Sequence, residues 1–327
     1  MAAYRRVQDI DHEIGPNGSL SLAVTSADVR LTATDGPSAR VRATFEIGAS
    51  SDAEADEMFE SLQLLVHAES GSLAVDEPDG HRGLGGAISR LLGGRAAELV
   101  SVEVEAPAGC RLELRVVSSD VQASGFRGSQ RYQSVSGDLR LADAGGDFDI
   151  DSVSGDVSLR GVEPVSLTAN NVSGDLSAQA PTFNTLRVQS VSGDVSVDGA
   201  LDAGSPHGVD TVSGDFRLAS SSGMTVSVRA MSSDVHSSLP HRIEGSADRR
   251  RLVVGDGAAA VAFNSMSGDL AVTRSRQQPA AAEGAPATPS TSKPATPAPD
   301  DRNEILRALE RGDIDVDEAM RRLGGNA

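Results

Sequence analysis

Residues Ser134–Val157 read SVSGDLRLADAGGDFDIDSVSGDV, and the phrase V-S-G-D near the start returns 18 residues later at the end. It recurs as VSSDV (Val117–Val121), VSGDL (Val172–Leu176), VSGDV (Val191–Val195), VSGDF (Val212–Phe216), MSSDV (Met231–Val235) and MSGDL (Met266–Leu270). The aspartates of these copies are Asp120, Asp138, Asp156, Asp175, Asp194, Asp215, Asp234 and Asp269, with steps of 18, 18, 19, 19, 21, 19 and 35. The final step is close to two periods and predicts a degenerate copy between Asp234 and Asp269. Self-similarity at a fixed period is the mark of a repeat architecture.

Within each copy the side-chain period is two. Val135, Gly137, Leu139 and Leu141 are expected on one inward face, with Ser136, Asp138 and Arg140 outward. The second half repeats the pattern, with Phe148 and Ile150 inward and Asp147, Asp149 and Asp151 outward; the phase is expected to slip between Ser152 and Val153. The same frame runs through Leu186, Val188, Ser190, Val191, Gly193, Val195 and Val197. Alternation broken by one slip every nine or ten residues describes two short strands joined by corners. A unit this short cannot bury a core alone, but units stacked about 4.8 Å apart can share one. The expected fold is all-β: a parallel β-helix or solenoid, right-handed because parallel crossovers favour that hand. An antiparallel sandwich would not require the same corner at the same place in every copy.

Composition agrees with a narrow core. Aromatics are 3% of the chain, with no Trp, two Tyr and seven Phe, so Val, Leu, Ile and Ala must fill the interior. A net charge of −18 argues against nucleic-acid binding, which needs a basic footprint, and fits a soluble protein that avoids anionic lipid. Cys110 is the only cysteine, which excludes an intrachain disulfide and a cysteine zinc site. The start, MAAYRRVQDIDHEIG, has no apolar stretch of the secretory kind, and no run approaches 18 apolar residues; a cytoplasmic location is expected.

Four segments follow from these patterns. Residues 1–100 form an N-terminal cap on the β domain. Leu20–Leu31 holds SADV, a weak copy of the phrase, Val41–Ile47 alternates, and Ser72–Val75 is a strand. Ser51 with Glu54 starts a helix predicted to reach about Val66, with Met58, Phe59, Leu62 and Leu65 on one side, suited to covering an open solenoid end. His81–Arg95 reads as a loop; five glycines oppose a membrane-touching helix there, so membrane contact is a minor reading. Residues 101–275 are the repeats, and 276–300 are a Pro/Ala-rich tether. Residues 301–327 form a helical hairpin with Ile305, Leu306, Leu309, Ile314, Met320 and Leu323 as its contact residues. So small a hairpin needs a protein partner or another copy to dock against.

With these phrases in hand, the chain resembles the bacterial putative-adhesin β-strand-repeat family, domain of unknown function 4097, over roughly Val7 to Thr273, including Arg249–Gly257 before the last copy. The tail is similar to SHOCT-like hairpins through Leu309, Gly312, Ile314, Glu318 and Leu323, with Ala319 and Met320 where an aromatic is often found. Some relatives with both parts are associated with envelope stress, so the resemblance implies a sensor of lipid or cationic peptide as the second reading of function.

The leading reading is a non-catalytic scaffold, with no cofactor and no metal. The Ser-Gly-Asp corner is explained structurally, since Gly allows positive φ while Ser and Asp can bond nearby N–H groups. Ionised carboxylates about 5 Å apart in water repel by about 1 kcal/mol, so the ladder of eight aspartates needs hydrogen bonds, splay or, as a lesser alternative, cations. A carbohydrate-active enzyme ranks last. Asp143, Asp147, Asp149 and Asp151 are the densest acids and Tyr132 the nearest tyrosine, but outward strand positions offer no apolar pocket to raise a carboxyl pKa. The six histidines lack metal-ligand spacing, and Ser136 has no histidine in its frame. Arg249–Arg251 reads as a solvated turn rather than a phosphate site.

Overall fold

The computed structural model describes residues 2–78, 97–246 and 249–275. His81–Arg95, the 276–300 tether and the 301–327 hairpin, with Ile305, Leu306, Leu309, Ile314, Met320 and Leu323, lie outside the described residues. The body is a stack of parallel coils. The strands form one continuous sheet that wraps the stack, and on one face of it successive copies pair in register, Gln130 with Phe148, Phe148 with Leu167 and Leu167 with Leu186. On the other face Val121 pairs with Leu139, Leu139 with Val157, Val157 with Leu176 and Leu176 with Val195.

Inward positions hold Val157, Leu159, Val165, Leu167 and Ala169 in one coil and Leu176, Ala178, Phe183, Leu186 and Val188 in the next, all buried. Burial of each larger aliphatic side chain contributes about 1.5–3 kcal/mol, but only because the coils above and below cover it. The few aromatics are concentrated here: Phe45, Phe126, Phe148, Phe183, Phe216, Phe263 and Tyr132 are all buried. The core is thus aliphatic with isolated aromatic plugs, rather than wholly aliphatic.

The order of coils in space departs from their order in sequence at both ends. Strand Ala259–Ser267 lies between Pro206–Ser213 and Met224–Ser232, parallel to both. Leu270–Arg274 likewise separates Phe216–Ser220 from Val235–Ser237. The 35-residue step therefore holds no degenerate copy. Its residues build an antiparallel hairpin, His241–Ser246 with Arg249–Val254, on the outer side of Met224–Ser232. The chain then turns back and inserts its last coil one place inward. Arg249–Arg251 accordingly sits in a strand rather than a turn.

At the other end, Ser19–Val24 and Asp28–Thr34 make a full coil below Arg111–Ser118 and Val121–Ser124, with SADV at its corner. Ser72–Asp76 and Glu98–Pro107 stack beneath that coil in turn. Antiparallel strands finish this end too: Ser38–Ala49 on Glu98–Pro107, Ala2–Glu13 on Ser38–Ala49, and Leu65–Glu69 on Ser72–Asp76. The outermost strands are charged or short, as exposed edges must be to resist pairing with another chain. Ala2–Glu13 carries Arg5, Arg6, Asp9, Asp11 and Glu13, and Val235–Ser237 has only three residues.

The helix spans Asp52–Leu62 and ends short of Val66. Ser51 caps it, its Oγ accepting from the Glu54 N–H at 3.2 Å, while Glu54 Oε2 accepts from the Ser50 N–H at 2.8 Å. Gln63 leaves helical geometry, and Leu65 becomes an exposed residue of strand Leu65–Glu69 rather than part of the apolar face, because pairing with Ser72–Asp76 claims that backbone. Ala55 and Leu62 are buried, and Phe59 meets Phe45 edge-on at 5.4 Å.

Candidate binding groove beside the Ser-Gly-Asp corner

The corner repeats one set of bonds. Gly137, Gly155, Gly174, Gly193 and Gly214 have φ between 114° and 136°, a region closed to side chains. The Oδ1 of each aspartate accepts the backbone N–H of the aspartate one coil on: Asp120 from Asp138 at 2.9 Å, Asp138 from Asp156 at 3.0 Å, Asp156 from Asp175 at 2.9 Å and Asp175 from Asp194 at 2.8 Å. The row continues from Asp194 to Asp215, then to Asp269, and only then to Asp234. Arg140 bonds Asp138, and Arg217 bonds both Asp194 and Asp215. The carboxylates are thereby committed to backbone N–H groups and guanidinium neighbours. The two copies with Ser in place of the Gly, at Ser119 and Ser233, are the two ends of this row.

The valine that opens each phrase points outward, contrary to the inward assignment of Val135. Alternation runs unbroken from Ile150 (in) through Asp151 (out) and Ser152 (in) to Val153 (out), and the phase slips at Ser154–Asp156, before Val157 turns in. The corner itself absorbs the slip, because the glycine conformation reverses the chain there. Val117, Val135, Val153, Val172, Val191 and Val212 are each 45–49% exposed, and Met266 and Met231 extend the row at 56% and 84%. The inward places beside them go to Ser134, Ser152, Asn171, Ser190, Thr211 and Ser265, all buried. Asn171 Nδ2 bonds the Gly174 carbonyl at 2.6 Å; the shorter side chains of Ser134, Ser152 and Ser190 find no partner for Oγ.

Two residues before each valine stands a second outward row. In spatial order it is Arg115, Gln133, Asp151, Asn170, Gln189, Asp210, Asn264 and Arg229. Arg115 Nε bonds Gln133 Oε1 at 3.1 Å, Asn170 Nδ2 bonds Asp151 Oδ1 at 2.8 Å, and Asn264 Nδ2 bonds Asp210 Oδ1 at 2.6 Å. Between the valine row and this wall runs a groove of about 980 Å³. Seven strand-to-strand steps of about 4.8 Å make it roughly 34 Å long.

Residues 17–273 match the family model described as Toastrack DUF4097. The chain belongs to the DUF4097 Toastrack family. Its solved structural neighbours include a putative lipid binding protein from Parabacteroides distasonis, at 10% identity and TM-score 0.42, covering 82% of this chain and 96% of that one. A putative adhesin from Bacteroides fragilis is 9% identical at TM-score 0.35, covering 82% and 97%. A putative cell adhesion protein from Clostridium sporogenes is 9% identical at TM-score 0.28, covering 82% and 100%. No curated protein matches the chain.

In this Toastrack chain the acidic residues weighed for catalysis do not converge. Asp149 and Asp151 both pair with Arg131, at 2.9 and 3.1 Å, while Asp143 turns away at the opposite corner with φ 50°. Tyr132 is fully buried, its hydroxyl donating to Gln130 Oε1 at 2.9 Å, so it cannot stack on a sugar. Burial pushes the Cys110 thiol up to about 11, which keeps it protonated and inert at neutral pH. Among the described residues no cluster of His, Cys, Asp and Glu is placed to hold a metal, and no helix is long and apolar enough to cross a membrane.

Asp194 reports on the corner. The Asp215 N–H, then the Arg217 guanidinium, hold its carboxyl below the ordinary 3.8. The bonded form is the charged one, so the stability it adds is complete above that value and is lost as pH falls below it. Its side chain is partly open to solvent, which keeps the effect modest. In Asp194→Asn, urea midpoints followed from about pH 6 to about pH 2 should fall less steeply than in the wild type. Parallel curves would show that this carboxylate adds nothing.

Proposed function

We propose that this Toastrack protein is a non-catalytic binding scaffold whose ligand lies along the groove beside the Ser-Gly-Asp corner. The observation that carries this reading is the row of half-exposed Val and Met side chains. Isolated exposed valines need no explanation, but a contiguous apolar row across successive coils is what a free surface avoids unless something covers it. The row is not needed for stacking, since the inward positions and the aspartate bonds already join the coils. The groove has aliphatic side chains on one side and a wall of amides and charged groups, most of them bonded to one another, on the other, with no aromatic ring among its lining residues. That arrangement suits holding an elongated apolar group and lacks a poised acid or nucleophile.

Nile red, an uncharged dye that brightens in apolar surroundings, should fluoresce with the full chain. Replacing Val153, Val172 and Val191 together with serine should weaken that binding about tenfold or more, as expected for the loss of roughly 1.4 kcal/mol or more of apolar contact. The melting temperature should change little, because these side chains are already half in water. Equal dye binding by the two proteins would remove the groove from consideration.

A second part of the proposal concerns residues 301–327, which would dock to a protein partner or another copy through Ile305, Leu306, Leu309, Ile314, Met320 and Leu323. Removing residues 276–327 should leave the melting curve of the body unchanged and alter the mass measured by light scattering or the proteins retained in pull-downs. If both readouts match the full chain, the docking role is wrong.

A further inference from the structure

At one end the groove meets a group of arginines. Arg229 closes the polar wall and also lines a smaller hollow of about 370 Å³ with Ser227, Arg249 and Arg251. The antiparallel register sets Arg229 opposite Arg249 and Ser227 opposite Arg251. Directly opposed residues, and residues two apart on one strand, share a face, so the three guanidinium-bearing side chains rise from the same side of the sheet. Glu244 is the acid of this hollow, and it is already paired with Arg242 at 2.7 Å. Arg229, Arg249 and Arg251 have no ion-pair partner among the described residues. Asp210, the nearest wall carboxylate in the register, accepts from Asn264. In a chain of net charge −18, three adjacent cations that outnumber the one acid beside them, Glu244 opposite Arg251, form a local site for an anion. Like charges on neighbouring strands repel, and a bound phosphate or carboxylate relieves that repulsion through the bidentate geometry guanidinium favours.

We infer that the groove binds a single-chain anionic lipid, with its acidic head at Arg229, Arg249 and Arg251 and its acyl chain along Met266, Val212 and Val191. This rests on the reading of the groove as a binding surface and specifies what fills it. Three features select a lipid over a peptide. The strands under the groove are already paired on both sides, so no free edge can accept a peptide as an added strand. Three of the four wall amides are already bonded to charged neighbours, Gln133 to Arg115, Asn170 to Asp151 and Asn264 to Asp210, so a peptide backbone laid on the valines would leave most of its N–H and C=O groups unsatisfied at about 1–3 kcal/mol each. An acyl chain has no such groups. The lengths also agree: a chain crossing half of a roughly 30 Å hydrocarbon layer spans about three coils, which fits within the groove. The overall acidity of the protein disfavours adhesion to an anionic bilayer, so the occupant is a single lipid molecule and not a membrane surface.

Calorimetric titration of the full chain with myristoyl lysophosphatidate, below its micelle concentration, tests this against myristoyl lysophosphatidylcholine, inorganic phosphate and vesicles containing phosphatidylglycerol. Lysophosphatidate should bind at least about tenfold more tightly than the choline lipid, with the preference shrinking as salt is raised. Arg229→Gln/Arg249→Gln/Arg251→Gln should abolish the preference while leaving Nile red binding intact, and Arg249→Gln alone should reduce it if the triple variant folds poorly. Replacing Val191, Val212 and Met266 together with serine should weaken both lipids. Equal binding of the two lipids, binding of phosphate alone as tightly as of lysophosphatidate, or binding to vesicles only would each overturn the assignment. If Nile red binding still depends on the valines, the groove survives such a result; if it does not, both readings fall together.

Discussion

Gly174→Ala is expected to destabilise the body by about 3 kcal/mol or more. The glycine has φ 115°, and a Cβ built on it would lie 2.3 Å from the Gly155 carbonyl oxygen and 2.8 Å from its carbon. Neither contact is with a flexible side chain. The Gly155 carbonyl belongs to the next corner, which rests in the same way on Gly137, while Gly193 rests on Gly174. Relief of the clash would therefore require a shift through several coils and would disturb the aspartate bonds that cross them. Gly208→Ala is the control: a Cβ there meets nothing within 4 Å, so its urea midpoint should stay within about 0.5 kcal/mol of the wild type. Similar midpoints for the two variants would mean that the corners do not depend on close backbone approach.

Tyr132→Ala should cost about 3–5 kcal/mol, as for other large aromatic truncations in a core. Among the described residues Tyr132 is the largest fully buried side chain, and it anchors a polar relay in the interior. Its hydroxyl donates to Gln130 Oε1, and Gln130 Nε2 donates to the Gly145 carbonyl at 3.1 Å, joining strand Gln130–Ser136 to the opposite corner one coil on. Burial raises the phenol well above its ordinary value, so the group remains a donor throughout the range in which the fold is stable. Tyr132→Phe separates the two contributions. It keeps the ring and leaves a buried amide oxygen without its donor, for a loss of about 1–2 kcal/mol by urea titration. If Tyr132→Phe matched Tyr132→Ala, the ring would contribute little and the relay would dominate.

These two sites differ in how legible they were. Gly174 was visible in the sequence because the glycine recurs in phase with an aspartate, and only a corner needing positive φ explains that pairing. Tyr132 gave no such signal. It stands in one coil only, and period-two alternation marks its inward direction without revealing the bond to Gln130. The Ser-for-Gly copies at Ser119 and Ser233 are a further case. They look like casual drift along the chain, but they fall at the two ends of the aspartate row, where a corner lacks an identical neighbour on one side.

The sequence by itself determined the stacked parallel coils, the strand period and the role of Ser-Gly-Asp as a corner, because a backbone conformation repeated every eighteen or so residues permits few alternatives. It did not determine which way Val153 points. A phase slip can fall on either side of so short an apolar residue, and hydrophobicity alone drew the valines inward. Only the tertiary structure decided that, since packing gave the inward place to Ser152 and turned the valines into a groove. It also decided the order of the last coils and the meeting of Arg229 with Arg249 and Arg251. Parallel coils present alike edges to any neighbour, so sequence separation alone cannot say which coil lies on which; the hairpin at 241–254 settles it by covering one edge and sending the chain back to the other.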